Sequence, residues 1–222
     1  MLPVVHIGPS KTASTTLQKQ VLPFLGRPYK ITPQWLRLLS RSPEFTPPEA
    51  STVPDGMIFS AEMVGDFPGC PPAEVARRLM SVLGVCRIVF VEREPIELFA
   101  SLYQQYLVNN QNLITRGYVP LTPDALFDHF HAEYVKNGTG IFATINVPAV
   151  EEAFYPCEFV TIPYALLEDD GGAFGSAFAL ACGAHWRGSL TRLNPSRLPL
   201  TTGLPSPDRQ KFLLDSYVSS MK

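Results

Sequence analysis

Val4-Val5-His6-Ile7-Gly8-Pro9-Ser10-Lys11-Thr12-Ala13-Ser14-Thr15-Thr16-Leu17 is the stretch on which the reading of this chain turns. The apolar run Leu2 to Ile7 is too short for a helix, and Gly8-Pro9 ends it. A lysine, a cluster of hydroxyl residues and a helix-like pattern from Leu17-Gln18 follow. This order predicts a strand, a tight loop and a helix. Such a loop aims its own N–H groups, and those of the first helical turn, at one point where the helix dipole adds positive character. Lys11 would add a full charge there, and Thr12, Ser14, Thr15 and Thr16 would add hydroxyl donors, so the expected ligand is an anion. A capped helix start beside an incidental lysine is the plainer alternative.

The Walker A pattern, G-x-x-x-x-G-K-[ST], fits poorly, because Gly8 stands too close to Lys11 and Ala13 follows the lysine. An ordinary ATP or GTP site is therefore disfavoured. The stretch resembles the 5′-phosphosulfate-binding loop of the sulfotransferases that use 3′-phosphoadenosine 5′-phosphosulfate (PAPS), a K-[ST]-G-T-T core after the first strand. Bacterial members often read H-I-G-x-x-K-T-G-T-T-x-L-Q, matched here by His6-Ile7-Gly8, Lys11-Thr12, Ser14-Thr15 and Leu17-Gln18. Ala13 departs from the pattern, standing where the family usually has glycine. The resemblance implies that Ser10, Lys11, Thr12, Ala13, Ser14, Thr15 and Thr16 bind PAPS, and that its product is adenosine 3′,5′-bisphosphate (PAP).

Working outward, the clearest strand is Cys86 to Glu92, rich in β-branched residues and nearly continuous in apolar character, as a buried parallel strand should be. Arg93-Glu94-Pro95 closes it. A long helix from about Ile96 to Asn110 follows, with Leu98, Leu102 and Tyr106 spaced by four. Arg93 and Ser101, eight residues apart, match a second element of the same family, in which an arginine ending the corresponding strand and a serine eight residues on hold the 3′-phosphate. A dianionic phosphate favours a fixed guanidinium fork, with a hydroxyl filling a further oxygen position.

Further strands are expected at Met57–Ser60 and Glu158–Ile162. Helices are expected over Thr15–Leu25, Trp35–Arg41, Pro72–Leu83, Pro123–Val135, Val147–Tyr155, Tyr164–Glu168, Ala173–Cys182 and Asp208–Met221. Strands alternating with helices imply a single α/β domain built on a P-loop NTPase-like parallel sheet with helices on both faces. At 222 residues one such domain is the expected size. The nucleotide-binding core is expected over about 1–112 and 156–200, with an acceptor-side helical region over about 113–155 carrying Tyr118, Phe127, Phe130 and Tyr134.

A net charge of −2 argues against a nucleic-acid binder that works through bulk charge. Positive charge gathers towards the C-terminus, at Arg187, Arg192, Arg197, Arg209 and Lys211. Cys70, Cys86, Cys157 and Cys182 are far apart in sequence, so neither a zinc site nor a disulfide framework is indicated and reduced thiols are expected. No signal-peptide pattern opens the chain and no apolar run reaches membrane-spanning length, which leads to the expectation of a cytoplasmic protein without a membrane partner. Nothing in the sequence sets an oligomeric state.

Ligands of open α/β sheets bind beyond the carboxyl ends of the strands, which gives weight to Lys11, Glu62, Arg93 and Pro163-Tyr164. Glu62 follows the strand lying between the two nucleotide motifs. Several polysaccharide and bacterial sulfotransferases use a glutamate there as catalytic base, so the resemblance implies catalysis by Lys11 and Glu62, a carbohydrate or other hydroxyl or amine acceptor, and no metal. Arg197 lies where the family returns a late basic segment over the 3′-phosphate. His6 is expected to be packed or hydrogen-bonded, and His129 and His131 to leave different sides of a helix. Two other readings stay open. One is a P-loop nucleotide kinase or NTPase with Glu92 on the metal side. The other is a non-catalytic relative that binds nucleotide or glycan.

Overall fold

The computed structural model describes residues 1–41, 44–47, 54–191 and 200–220. The chain runs β1 (Val4–Ile7), α1 (Ser14–Gln20), β2 (Tyr29–Ile31), α2 (Gln34–Arg41), β3 (Ile58–Ser60), α3 (Pro72–Leu83), β4 (Arg87–Glu92) and α4 (Pro95–Asn109). It continues through α5 (Gln111–Ile114), α6 (Pro123–Asn137), α7 (Phe142–Ile145), α8 (Val147–Ala153), β5 (Glu158–Pro163), α9 (Ala165–Asp169), α10 (Gly171–Ala181) and α11 (Pro207–Ser220). The five strands form one sheet in the order β2-β3-β1-β4-β5, every pairing parallel. This is the expected α/β architecture, and β1 lies at its centre.

Alternation along the strands divides the core into two layers. Val5, Ile7, Phe59, Ile88 and Phe90 pack on one face with residues of α2, α3 and α8. Val4, Ile58, Val89 and Val91 pack on the other with α1 and α10. Each fully buried Val, Ile or Phe contributes about 1.5–3 kcal/mol, so a central strand buried on both faces explains its continuous apolar sequence. A third cluster joins Leu98, Phe99 and Tyr103 of α4 to Phe127, Phe142 and Leu213. Arg209 ties α11 to α6 through Asp124 and Asp128, at 3.2 and 2.6 Å. This C-terminal cation is thus engaged within the fold.

β2 is absent from the sequence expectations. It is an edge strand of three exposed residues, Tyr-Lys-Ile, and burial imposes no apolar pattern on it. The helix expected over Thr15–Leu25 stops at Gln20 and resumes as a 3₁₀ turn, Leu22–Phe24, carrying Pro23. Cys86 and Cys157, distant in sequence, stand side by side with sulfurs 3.6 Å apart. No helix among the described residues is long and apolar enough to cross a membrane.

Candidate active site

The loop after β1 closes on itself when Thr12 Oγ1 donates to Pro9 O at 2.7 Å. Lys11 and Ala13 both take left-handed backbone conformations, with φ of 75° and 63°. A non-glycine residue in that region costs about 1–2 kcal/mol. Ala13 therefore occupies, at a cost, the conformation that glycine adopts freely. It is also the N-cap of α1 and offers no side-chain cap.

The loop expected to cradle an anion differs from the sequence expectation in one respect. α1 has seven residues, so its dipole is small, and carboxylates from the segment after β3 already hold loop N–H groups. Glu62 Oε1 accepts from Lys11 N at 2.7 Å, and the Thr12 N–H also bonds to this carboxylate. Asp66 takes Ser10 with both oxygens, Oδ1 from the backbone N–H at 2.6 Å and Oδ2 from Oγ at 2.5 Å. Between them Gly65 lies against Gly8, and a Cβ there would stand 2.3 Å from Gly8 O. Glycine at 65 is what allows the two strand-end loops to meet.

Burial raises the Glu62 carboxyl above its ordinary value, against the Lys11 and Thr12 N–H bonds and the Lys11 charge, which favour ionisation. Burial pushes Asp66 up to about 6, with Ser10 opposing and the nearby Glu62 charge adding to the rise. Lys11 is lowered by burial and by Arg93, with Glu62 opposing. Its ammonium donates to Gln105 Oε1 of α4.

The second constellation meets the first directly. Arg93 is 5% exposed, and its Nη1 donates to Lys11 O at 2.9 Å and to Ser101 Oγ at 3.2 Å. Its guanidinium carbon lies 4.3 Å from the centre of the Tyr164 ring, a cation–π distance, and Glu97 stands 3.6 Å from Nε. Strand order explains the meeting, since β1 and β4 are neighbours and Arg93 leaves β4 beside the loop leaving β1. Two buried donors here, Arg93 Nη2 and Ser14 Oγ, have no hydrogen-bond partner among the described residues. A buried unpaired donor costs about 1–3 kcal/mol, and an anion's oxygens would satisfy both.

A sulfotransferase from Alicyclobacillus acidocaldarius aligns with a TM-score of 0.61 at 12% identity, over 98% of this chain and 91% of its own. Mouse sulfotransferase SULT7A1 complexed with PAP aligns with a TM-score of 0.55 at 12% identity, over 99% of this chain and 84% of its own. The chain has the sulfotransferase fold. No family model matches the sequence, and no curated protein does.

Within the sulfotransferase fold, Lys11, Glu62, Arg93 and Ser101 converge at the carboxyl ends of β1, β3 and β4. Thr12, Ser14 and Thr16 are buried in the loop and the first turn of α1, and Thr15 is half-buried. Arg192, Asn194, Ser196 and Arg197 lie outside the described residues. The following turn, Leu200–Gly203, packs on α4, where a Cβ at Gly203 would come within 2.5 Å of Ala100 O, next to Ser101.

His6 is fully buried, its Nδ1 2.8 Å from Ser60 Oγ, and burial lowers its pKa to about 4, so it is a neutral packing residue. His131 packs edge-on against Phe142 and Phe212. In the expected acceptor-side region Phe127 is core and Tyr118 is exposed. Glu92 accepts from Tyr217 OH at 2.5 Å. Among the described residues no cluster of three His, Cys, Asp or Glu could hold a metal.

The sequence reading missed Gly65, Asp66 and Gln105. The available signal was Glu-x-x-Gly-Asp directly after a strand in the catalytic layer, and a glutamine one helical turn beyond Ser101.

Proposed function

We propose that this protein is a sulfotransferase that moves the sulfuryl group of PAPS to a hydroxyl, or an amine, of an acceptor. The observation that carries the reading is the Arg93 junction, where one buried guanidinium joins the Lys11 loop to Ser101 and its Nη2 has no partner among the described residues. A nucleotide carrying phosphate at both ends needs two adjacent anion sites, and this junction supports that geometry. Ser10 to Thr16 would hold the 5′-phosphosulfate, and Arg93 with Ser101 would hold the 3′-phosphate. When bound, PAPS supplies an activated sulfuryl group and departs as PAP.

The remaining chemistry belongs to the chain. Lys11 places positive charge beside the loop, where it can offset negative charge on a leaving phosphate oxygen. To do so its ammonium leaves Gln105. Glu62 removes the acceptor proton; burial gives it a basicity above that of a solvated carboxylate, which suits the task. Alignment and charge stabilisation do most of the work in such a transfer, as in phosphoryl transfer. The acceptor binds on the side formed by about 113–155, and a carbohydrate is the class favoured by the glutamate base.

Turnover of sulfur-labelled PAPS against a panel of saccharide, phenol and amine acceptors tests the activity, with Lys11→Ala as the inactive control. Thermal stabilisation by PAP exceeding that by ATP with magnesium is the expected binding result. Greater stabilisation by ATP with magnesium would replace the proposal with an NTPase. That reading is weakened by Glu92, whose carboxylate is engaged by Tyr217. PAP binding without transfer to any acceptor would mark a non-catalytic relative.

A further inference from the structure

Cys86 and Cys157 immediately precede β4 and β5. The register Arg87↔Glu158 carried back by one residue sets them opposite each other, and Glu158 N donates to Cys86 O at 3.1 Å. Neighbouring strands run about 4.8 Å apart, inside the range of Cα separations that a disulfide spans. Paired residues of parallel strands project from the same face, and the two sulfurs are 3.6 Å apart. Cys86 is buried, whereas Cys157 is half-buried and reaches solvent. From this geometry we propose that Cys86 and Cys157 are an oxidative modification site, closing to a reversible disulfide when a peroxide reaches Cys157.

The two thiols divide the chemistry by environment. The hydrogen bond shared with Cys86 holds the Cys157 thiol below the ordinary range and pushes Cys86 above it, so the accessible sulfur is the one that carries thiolate character. The Cys157 thiolate attacks hydrogen peroxide: an S–O bond forms, the O–O bond breaks, and hydroxide leaves. Sulfur is oxidised by two electrons to sulfenic acid and the peroxide is reduced. The Cys86 sulfur then attacks Cys157. The S–S bond forms, the S–O bond breaks, and the departing hydroxide takes the Cys86 proton as water. Two thiols and one peroxide thus give one disulfide and two waters.

The consequence is mechanical. The bridge closes a loop of roughly 70 residues, a length at which a cross-link strongly restrains the unfolded chain. That loop contains α4, with Arg93 just before it. The cysteines stand at the amino ends of the strands, whereas the candidate site stands at the carboxyl ends, roughly 20 Å away along the six residues of β4. Oxidation therefore staples the sheet without occupying the site, and the inference does not depend on the proposed activity.

Peptide mapping of the full chain after hydrogen peroxide treatment tests it. The expected product has lost about 2 Da, joins Cys86 to Cys157, reverts with dithiothreitol and melts several degrees higher. Its PAP-induced thermal shift is unchanged. Cys157→Ser is expected to leave Cys86 alkylatable after peroxide, and Cys86→Ser to stop Cys157 at a sulfenic acid trapped by dimedone. Cys157 gaining oxygen while Cys86 stays free in the unmutated chain would overturn the proposal, as would a bridge to Cys70 or Cys182. Should Cys86→Ser fail to fold, the half-buried Cys157→Ser variant carries the test alone.

Discussion

Replacing Arg93 by methionine separates what the guanidinium does for the fold from what it does for a nucleotide. In the ligand-free protein the charge is buried, at a cost of several kcal/mol. In return it makes two charge-assisted hydrogen bonds, worth about 1.5–3 kcal/mol each, and a cation–π contact worth about 0.5–2 kcal/mol. Methionine removes cost and gain together and keeps an apolar contact with Tyr164. The ligand-free melting midpoint is therefore expected to move by only a few degrees. Binding is expected to collapse. Losing two charged bonds to a phosphate at about 1.5–3 kcal/mol each weakens PAP by roughly 10²–10⁴-fold. At a PAP concentration of about 100 times the wild-type Kd, ligand stabilisation is about 2.7 kcal/mol, falling below about 0.4 kcal/mol in the variant. For a protein of this length the wild-type shift is roughly 5–10 °C, and the variant shift is about 1 °C. Differential scanning fluorimetry with and without PAP, backed by calorimetric titration, reads both quantities. A cooperatively folded Arg93→Met protein that kept the full PAP shift would refute the assignment. Ser101→Ala, which removes one hydroxyl, is expected to weaken PAP about tenfold and supplies a milder check.

Glu62→Gln preserves an oxygen for the Lys11 N–H but cannot take a proton, so kcat is expected to fall by about 10²–10⁴ while PAP affinity holds. If Glu62 is the base it must be ionised, so kcat of the unmutated protein is expected to rise with pH through an inflection above the usual carboxylate range, and retained turnover in the glutamine variant would remove Glu62 from the chemistry. Asp66→Asn tests the carboxyl that burial pushes up to about 6. Between its unfolded value near 4 and that folded value the folded state holds an extra proton, so this group's contribution to stability is lost as pH rises through the window. The asparagine variant is expected to match the unmutated protein at pH ~4 and to exceed it by about 1–3 kcal/mol at pH ~7.5 in urea unfolding, and a gain independent of pH would contradict the assignment. Gly65→Ala places a methyl against the Gly8 backbone at a normal φ of −72°, so its effect is steric alone. A loss of about 1–3 kcal/mol of unfolding free energy is expected, read as a lower denaturation midpoint, and an unchanged midpoint would show that the two loops do not touch.

Much of the architecture was open to reading in one dimension. β4 announces itself because a strand covered on both faces is apolar throughout, and α4 because Leu98, Leu102 and Tyr106 repeat along one face. The spacing from Arg93 to Ser101 is a local property of a strand end and a helix, so it is legible along the chain. The Lys11 loop was legible for the same reason, as glycine, proline, lysine and hydroxyls lie consecutively.

What local pattern could not convey is which strand ends become neighbours. The order β3-β1-β4 brings Glu62 and Asp66 to one side of the Lys11 loop and Arg93 to the other, across separations of dozens of residues. The same long-range packing pairs Cys86 with Cys157 and leaves β2 exposed at the edge. Local sequence determined four of the five strands, the longer helices and the Lys11 and Arg93–Ser101 motifs, because backbone propensity and burial period act over a few residues. Tertiary structure alone decided the carboxylates that grip the loop and the depth at which each charge is buried, because hydrogen bonds and desolvation depend on neighbours that only the folded sheet supplies.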